Sequence, residues 1–404
     1  MTDIRVLDGE DDLVAAANVF RAAMVGFPPL SDLAPGQITK LFEPGRTIGA
    51  FVEGQLVGTA DAVSSGLTLP GGAIVGHAAV THIGLLPSFT RKGLATDLMR
   101  HQLLDIAARG EVVATLRASE ATIYERYGYG VASSSHTVEV QTARATLRPG
   151  VGAGGPVRLL DVGEAWDVLP RIYTGNRPSR PGTIDRPEVW WQGARLRTES
   201  RPGPSYVAVH GEPGSESGFA RYRPVNTESW FVSDQRTIAV EDFFAPTTEA
   251  YVGLLRFLLG LDLIDCVVFW MLPVDDPLPW LVVDRRAVRV TAVHDETWLR
   301  VIDAEHALSA RRYIGDGAIT IAIKDPLLQD NSASFTVTAD GAEPTDRRAR
   351  LHTGVEGLAA VLLGGATWRS LAVAGLARAD DPATLDLADR LFAVVDAPHA
   401  GFFF

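Results

Sequence analysis

The sequence of 404 residues predicts an α/β (α+β) protein, with two α/β domains of related design followed by an α+β domain. An apolar run, a short basic loop, an amphipathic helix and a second apolar run follow one another in residues 79–116. The same order of strand, turn, helix and strand returns in residues 237–271. A Gly/Pro-rich stretch at 148–156 separates the two units. The predicted domains are residues 1–147, 157–292 and 293–404.

The first domain is predicted to contain the following elements in chain order: a strand at 3–8, a helix at 11–23, strands at 47–53, 55–64 and 79–86, a helix at 94–106, a strand at 112–116, a short helix capped by Ser119 and ending at Gly128, and a strand at 136–140. Beyond the linker, a strand at 237–245, a helix at 249–260 capped by Thr247 or Thr248, and a strand at 265–271 are predicted. The third domain is predicted to hold helices at 304–311, 357–363 and 385–392 and strands at 318–324 and 334–338.

A basic turn follows the first strand of the unit at 79–116. The segment Thr90-Arg91-Lys92-Gly93-Leu94-Ala95 places a glycine at the start of the helix. A helix N-terminus presents unpaired backbone N–H groups and the positive end of the helix dipole. Arg91 and Lys92 add positive charge, and Gly93 allows a ligand to approach the backbone closely. These features suit a pyrophosphate group, and a solvated loop in an ordinary α/β unit is the alternative.

This order of elements resembles the acyl-CoA motif of the GNAT N-acetyltransferases, whose loop reads Gln/Arg-x-x-Gly-x-Gly/Ala. Thr90 replaces the leading Gln or Arg of that loop. The following segments, RASE at 117–120 and IYERYGYG at 123–130, are similar to the (H/R)-A-S-E-x-x-I-Y-x-R-(F/Y)-G-Y-G signature of the Eis family of acetyltransferases. The resemblance covers the whole chain, most strongly residues 80–132 and most thinly residues 145–240.

The resemblance implies tandem GNAT folds, catalytic in the N-terminal domain and non-catalytic in the central domain, and a C-terminal sterol-carrier-protein-like domain. The second turn, PTTE at 246–249, agrees with this assignment because it has no glycine, no cation and one acid. Such a turn is not suited to holding a pyrophosphate. The resemblance also implies acetyl-CoA as cosubstrate and a homo-hexamer.

The resemblance further assigns the site residues. Tyr124 is the general acid that protonates the departing thiolate of CoA, and the free carboxylate of Phe404 is the general base. The cofactor residues lie on the motif strand, in the turn and helix start, and in the Ser-Glu pair: Ile83, Gly84, Leu85, Arg91, Lys92, Gly93, Leu94, Ala95, Thr96, Ser119 and Glu120. The residues assigned to the acceptor are Phe27, His82, Trp191, Asp295 and Phe403.

Some of these residues have structural alternatives. A helix cap is the alternative for Ser119, and a hydrogen-bonded structural role is the alternative for His82, as it is for His77. No His–carboxylate pair is evident near the motif, which makes the terminal carboxylate of Phe404 a reasonable base for a primary ammonium.

Composition limits the classes of partner. With 37 Lys and Arg against 49 Asp and Glu, the net charge of −12 argues against a nucleic-acid partner, because such proteins need a basic face. The apolar segment at 254–272 is interrupted by three charges, which argues against a membrane span. The N-terminus lacks the plan of a signal peptide, and Cys266 is the single cysteine, so a cytoplasmic enzyme is expected. The nine histidines show no metal-ligand spacing.

The sequence therefore predicts an acetyl-CoA-dependent N-acetyltransferase that acts by direct attack in a ternary complex. The expected acceptor is a primary amine of a cationic, aminoglycoside-like small molecule. Three departures from the mycobacterial pattern weaken that substrate assignment. The stretch GFPP at 26–29 replaces a loop that carries an acidic residue, Phe403 replaces an acidic penultimate residue, and His82 replaces an aromatic one. Acetylation of lysine in a protein or peptide is one alternative. A non-catalytic CoA-binding scaffold with a GNAT fold is another.

Overall fold

A computed structural model describes residues 3–30, 33–233 and 235–404 of the chain. The elements of the N-terminal region are β1 (Asp3–Val6), α1 (Glu10–Met24), β2 (Ile48–Val52), β3 (Gln55–Thr68), β4 (Ile74–Leu85), α2 (Leu94–Ala108), β5 (Val113–Leu116), α3 (Ala121–Tyr124) and β6 (Tyr129–Gln141). Those of the central region are β7 (Val157–Leu160), α4 (Val162–Gly175), α5 (Glu188–Glu199), β8 (Tyr206–His210), β9 (Gly218–Val225), β10 (Thr237–Phe244), α6 (Thr248–Leu259), β11 (Cys266–Pro273), α7 (Leu278–Leu281) and β12 (Val288–Val301). The C-terminal region contains α8 (Ala304–Ala310), β13 (Ala318–Lys324), β14 (Ser334–Thr338), β15 (Gly341–Pro344), β16 (Leu351–Gly354), α9 (Val355–Leu362), α10 (Trp368–Val373), β17 (Ala377–Ala379) and α11 (Pro382–Phe392).

One twelve-stranded sheet runs through the N-terminal and central regions, in the order β1-β2-β3-β4-β5-β12-β6-β11-β10-β9-β8-β7. The two regions are joined directly, because β6 pairs antiparallel with β11 from Gln141↔Cys266 to Ser135↔Pro273. The C-terminal region has its own five-stranded sheet, in the order β15-β14-β13-β16-β17.

The long strand β12 completes the N-terminal half of the large sheet. It lies between β5 and β6 and pairs antiparallel with both, for example Trp298↔Leu116 and Val293↔His136. The predicted boundary between residues 292 and 293 therefore falls inside a single strand. β12 is absent from the predicted elements, because neither its largely exposed first half nor its fully buried second half alternates between the two faces as a typical strand does.

Helix α2 illustrates how periodicity places the motif. Its buried residues recur at helical spacing on one face: Leu94, Leu98, Met99, Gln102, Leu103 and Ile106. Burial of this stripe against the sheet fixes the helix axis, and the axis aims the N-terminus of the helix at the turn that precedes it.

The predicted cap of α3 is wrong. The N-cap is Glu120, not Ser119, and its carboxylate accepts a hydrogen bond from the Thr122 backbone N–H at 3.4 Å. A 3₁₀ turn, Glu125–Tyr127, continues the helix to Gly128, whose φ of 84° lies in the left-handed region. The prediction for α6 is confirmed, because the Thr247 hydroxyl accepts from the Ala250 backbone N–H at 3.1 Å.

Candidate active site

A β-bulge interrupts the motif strand at two of the predicted site residues. The register of β4 against β3 runs through Asp61↔Thr81 and Thr59↔Gly84, so His82 and Ile83 together oppose the single residue Ala60. The φ of His82 is 49°, a left-handed value that is rare for a residue with a side chain. The bulge twists the strand and takes backbone groups at Ile83 out of the regular ladder.

The neighbouring strand diverges before the bulge is reached. β4 and β5 run parallel and pair only through His77↔Val113, Ala78↔Ala114 and Ala79↔Thr115. Beyond Ala79, the side of β4 that faces β5 has no strand partner, which leaves a wedge between the two strands. Backbone groups of Ile83 and Leu85 therefore remain available to an extended ligand lying in this wedge.

The basic turn lies between β4 and the start of α2. Gly93 is the N-cap of α2 with a φ of 85°, and no side chain caps the helix. A Cβ on Gly93 would meet no atom within 4 Å, so the backbone conformation, not crowding, requires glycine. Arg91 and Lys92 are exposed beside it. The open N-terminus of this 15-residue helix is therefore suited to holding a pyrophosphate.

Tyr124 packs against β4 and β5, the two strands that form the wedge. Its side chain belongs to the same apolar cluster as Val80 of β4 and Leu116 of β5. Burial raises the pKa of the Tyr124 phenol, and the Ser119 hydroxyl partly offsets this rise. A phenol with a raised pKa keeps its proton at neutral pH. The protonated phenol is the form that a general acid needs, and the raised pKa makes it a weaker acid than a free tyrosine.

A cavity of about 590 Å³ opens between the end of β5 and the central region. It is lined by Arg117 and Ala118 next to β5, by Trp190 and Trp191 of α5, and by residues of β10, β11 and β12. Three predicted acceptor residues lie on its walls: Trp191, Asp295 and Phe403. The structure thus brings this part of the predicted site together.

The last residues of the chain reach this cavity and are fixed there by Glu296. The Glu296 carboxylate accepts hydrogen bonds from the backbone N–H groups of Ala400 at 3.2 Å and Gly401 at 3.0 Å. It also accepts from the Ser133 hydroxyl at 2.8 Å and lies 3.0 Å from His399 Nδ1. One buried carboxylate therefore joins β12, β6 and the C-terminal segment.

Arg117 completes this anchor. Its guanidinium lies 3.6 Å from the Glu296 carboxylate and donates to the Phe402 carbonyl at 2.6 Å. Burial alone would raise the pKa of Glu296. The charges of His399 and Arg117, with the Gly401 N–H, instead hold that pKa well below its usual range. Glu296 is therefore a carboxylate at any physiological pH.

The aromatic rings of the C-terminus pack on α5. The Trp190 ring lies 5.1 Å from the ring of Phe402 and 5.2 Å from that of Phe404. The Arg117 guanidinium is 5.3 Å from the centre of the Phe404 ring. Phe404 is thus held next to Arg117, the residue that follows β5.

Phe27 and His82 lie outside the lining of this cavity. They form a separate aromatic group in which His82 is 5.0 Å from Phe20 and 5.3 Å from Phe42, and Phe27 stacks on Phe20. His82 Nδ1 lies 3.3 Å from the buried carboxylate of Asp61. This pair corrects the expectation that no His–carboxylate pair lies near the motif. The partners are 21 residues apart, too far for a local pattern to show.

His77 has the structural role that was given as its alternative. Its ring is buried between the hydroxyls of Ser65 at 2.6 Å and Thr115 at 2.7 Å. Burial, and then the charges of Arg46 and Arg177, lower its pKa to about 3, so the ring is neutral. It holds β3, β4 and β5 together where the wedge begins.

Comparisons with known sequence families agree with these observations. Sequence models of the acetyltransferase (GNAT) domain match residues 3–132 and residues 182–301, and a model of the sterol carrier protein domain matches residues 304–401. The chain is therefore a tandem GNAT acetyltransferase with a C-terminal sterol-carrier-protein-like domain, as predicted.

Related proteins match most of the length of this chain. An uncharacterized N-acetyltransferase of Streptomyces avermitilis is 34% identical over 396 residues, covering 95% of this chain and 94% of the relative. N-acetyltransferase Eis of Mycobacterium tuberculosis is 31% identical over 360 residues, 85% of each chain. The crystal structure of Eis1 from Mycobacterium abscessus superposes with a TM-score of 0.92 at 44% identity, covering 100% of both chains. The chain belongs to the Eis family of N-acetyltransferases.

The described residues contain neither a membrane-spanning helix nor a cluster of metal-ligating side chains. Across residues 3–30, 33–233 and 235–404, no helix has both the length and the apolar character needed to cross a membrane. Within those ranges, His, Cys, Asp and Glu side chains form no group of three or more suited to holding a metal ion.

Proposed function

We propose that the chain transfers an acetyl group from acetyl-CoA to the primary amine of a small molecule, by direct attack in a ternary complex. The observation that carries this proposal is the wedge between β4 and β5, which leads to the uncapped N-terminus of α2 at Gly93. The GNAT acetyltransferase domain in general uses acetyl-CoA. In the proposed complex the pyrophosphate lies on the Arg91–Gly93 turn and the pantetheine arm in the wedge.

The acid in this reaction is Tyr124. When the amine attacks the thioester carbonyl, the C–N bond forms and negative charge develops on the carbonyl oxygen. Backbone N–H groups near the bulge at Ile83 would stabilise that charge. As the C–S bond breaks, the Tyr124 phenol protonates the sulfur, for which its buried, protonated state is suitable.

The base is proposed to be a carboxylate at Phe404. The attacking amine must lose a proton before it is nucleophilic, and a base needs a fixed position. Glu296 and Arg117 supply that position by holding the backbone of residues 400–402 on both sides. Glu296 itself is unsuited to the role, because its hydrogen bonds and its lowered pKa keep it from taking a proton.

The cationic, aminoglycoside-like acceptor stays a prediction, and the cavity gives it little support. A polycation gains most from unpaired carboxylates. Arg117 is paired with Glu296, and Arg186 with Asp242. Among the described residues, Asp295 is the one cavity carboxylate without an arginine partner, and it accepts a hydrogen bond from the Trp298 indole.

The test is CoA release from acetyl-CoA with a panel of amines, run with wild type, Tyr124→Phe and a variant that ends at Phe403. The panel holds aminoglycosides, alkylamines and a lysine peptide. We expect wild-type turnover that collapses in both variants, while CoA binding measured by calorimetry is retained. Full activity of the shortened variant would overturn the base assignment. Absence of CoA binding by wild type would overturn the proposed function itself.

We also propose the homo-hexamer that the family resemblance implies. The outer half of β12 carries exposed apolar side chains, with Val290 44% and Val293 65% accessible. Such residues on a sheet face are suited to contact between subunits. Sedimentation of the full chain tests this, and a stable monomer at micromolar concentration would contradict it.

A further inference from the structure

The cavity that holds the predicted acceptor residues is rich in arginine. Five arginines and four carboxylates line it. The arginines are Arg117, Arg186, Arg197, Arg201 and Arg221, and the carboxylates are Glu241, Asp242, Asp295 and Glu296. This excess contrasts with the net charge of −12 for the whole chain.

The charges are not evenly paired along the cavity. Near the C-terminal segment the pairs are balanced, because Arg117 faces Glu296 and Arg186 makes a two-point contact with Asp242 at 2.8 and 3.2 Å. Both pairs are almost fully buried. This end of the cavity therefore presents little net charge.

The charges around Glu241 are different. There a single carboxylate, Glu241, is surrounded by Arg201, by Arg223 at 2.7 Å and by Arg221 at 3.6 Å. Arg197 of α5 is the fourth cation of this group, which we call the arginine cluster: Arg197, Arg201, Arg221 and Arg223. Asp242 also lies opposite Arg221, but it is already paired with Arg186, so Glu241 is the one direct ion-pair partner that the four guanidiniums have among the described residues. Arginine keeps its proton at any physiological pH.

Two members of the cluster have unused donors. The structure gives Arg197 no hydrogen bond or ion pair within residues 3–30, 33–233 and 235–404. Its side chain lines the cavity and is exposed, so its donors can reach a ligand there. Arg221 is 13% exposed, and its buried Nε makes no hydrogen bond in the described part of the chain. A buried donor without a hydrogen-bond partner, such as the Arg221 Nε, is uncommon in a network that serves structure alone.

We propose that the arginine cluster binds an oxyanion, a carboxylate or phosphate, carried by the acceptor amine. This inference rests on the proposed function and names the class of its acceptor. Guanidinium groups bind carboxylate and phosphate oxygens in pairs, and two such contacts from unpaired donors need no rearrangement of existing ion pairs.

Helix α5 sets the distance between the two ends of the acceptor. Trp190, Ala194 and Arg197 share one face of the helix, which lines the cavity. Trp190 contacts Phe404, and Arg197 lies seven residues later (197 − 190). At 1.5 Å per residue this is about 10 Å along the helix axis. The acceptor therefore carries its anionic group roughly 10 Å from the amine that is acetylated.

The test uses three acceptors of matched length: ω-amino-octanoate, amino-octanol and diamino-octane. CoA release is measured with the full chain and saturating acetyl-CoA. We expect kcat/KM to be at least about tenfold higher for amino-octanoate than for amino-octanol, as charge-assisted hydrogen bonds allow. Diamino-octane should be the poorest acceptor. Equal kcat/KM for all three, with turnover present, overturns the inference and leaves the proposed function standing.

Two variants on the same helix separate the cluster from charge in general. Arg197→Gln should reduce the kcat/KM ratio of amino-octanoate to amino-octanol about tenfold. Arg195→Gln removes an exposed arginine that is paired with Glu199 on the other face of α5, and it should keep the wild-type ratio. Equal loss of the ratio in both variants would contradict a specific subsite.

A binding measurement distinguishes failure of the subsite from failure of the reaction. Suberate, a dicarboxylate of the same chain length, is titrated calorimetrically into the protein with CoA saturating, so that the cofactor turn is occupied. Binding to wild type that weakens at least fivefold in Arg197→Gln supports the subsite even if no amine is acetylated. Absence of suberate binding, or equal binding to both proteins, overturns it.

Discussion

Two strand–turn–helix–strand units in this chain share one architecture and differ in their turns. In the N-terminal unit, β4 and β5 pair in parallel over three residue pairs and then diverge. In the central unit, β10 and β11 pair in parallel over four residue pairs, from Thr237↔Cys266 to Val240↔Phe269, and then diverge. Each unit therefore contains a wedge between two parallel strands.

The turns decide what each wedge can hold. The helix of the N-terminal unit starts at Gly93 with no side-chain cap and two cations beside it. The helix of the central unit starts at Thr247, whose hydroxyl occupies the Ala250 N–H, and Glu249 adds a negative charge. A phosphate is attracted to the first helix start and repelled from the second.

The central wedge contributes to the acceptor cavity instead. Glu241 and Asp242 of β10 and Trp270 and Met271 of β11 line it where those strands part. The same backbone arrangement therefore forms a cofactor cleft in one unit and a wall of the acceptor cavity in the other. A few residues at the helix N-terminus determine which of the two it forms.

The largest effect on kcat is expected from substitutions in the short helices that follow the two units. Tyr124 lies on α3 after β5, and Trp280 lies on α7 after β11. Tyr124→Phe should lower kcat by about 10²–10⁴, the usual contribution of a general acid, without changing CoA affinity. Trp280→Phe is the matched control and should leave kcat unchanged. A wild-type kcat in Tyr124→Phe would contradict the assignment of Tyr124 as the general acid of the N-terminal unit.

The next largest effect is expected from a substitution of Glu296, which anchors the C-terminal segment. Glu296→Gln should lower the free energy of unfolding at neutral pH by about 3 kcal/mol, because Arg117 and His399 lose their buried counter-charge. It should also lower kcat, since residues 400–402 lose their anchor. Urea denaturation and CoA release measure the two effects, and Glu199→Gln, an exposed partner of Arg195, is the control.

The same variant has a defined pH dependence. The pKa of Glu296 is depressed in the folded protein, so its contribution is fully present above the unfolded pKa of about 4.3. It is lost progressively as the pH falls below that value. The stability difference between wild type and Glu296→Gln should therefore shrink on going from neutral pH to strongly acidic pH. A difference that stays constant over this range would show that Glu296 is not the charged anchor.

The smallest effects come from a matched pair of substitutions at the two turns. Gly93→Ala forces a residue with a side chain into a left-handed conformation, at a cost of about 1 kcal/mol, and should weaken CoA binding several-fold. Thr247→Ala removes a helix cap and should lower the free energy of unfolding by about 1 kcal/mol while CoA affinity stays at the wild-type value. Calorimetry and thermal unfolding separate the two outcomes. A loss of CoA affinity in Thr247→Ala would contradict the comparison.

Local patterns in the sequence predicted the motif unit well. The strand, turn and helix at 79–106 follow from apolar periodicity, Gly93 and the cations. The strands β13 and β14 have the predicted bounds. These elements depend on neighbours in sequence, which is why a single sequence shows them.

The parts that sequence analysis missed depend on distant contacts. The insertion of β12 between β5 and β6 joins residues that are distant in sequence, for example Arg289 and Glu139, which are 150 positions apart. The anchoring role of Glu296 depends on its hydrogen bonds with Gly401, which is 105 residues away, and Ser133, which is 163 residues away. The arginine cluster joins α5 to β9 and β10 in the same way. Glu296 stands between Asp295 and Thr297 in the sequence, so no local pattern marks it as a buried acid.

The most direct test of the comparison is a calorimetric titration of CoA into the wild-type chain and into the double variant Arg91→Gln/Lys92→Gln. The account predicts one CoA per chain, with binding weakened strongly in the double variant, because the turn at Gly93 provides the phosphate site and the turn at Thr247 does not. Two CoA molecules per chain, or unchanged binding by the double variant, would contradict it.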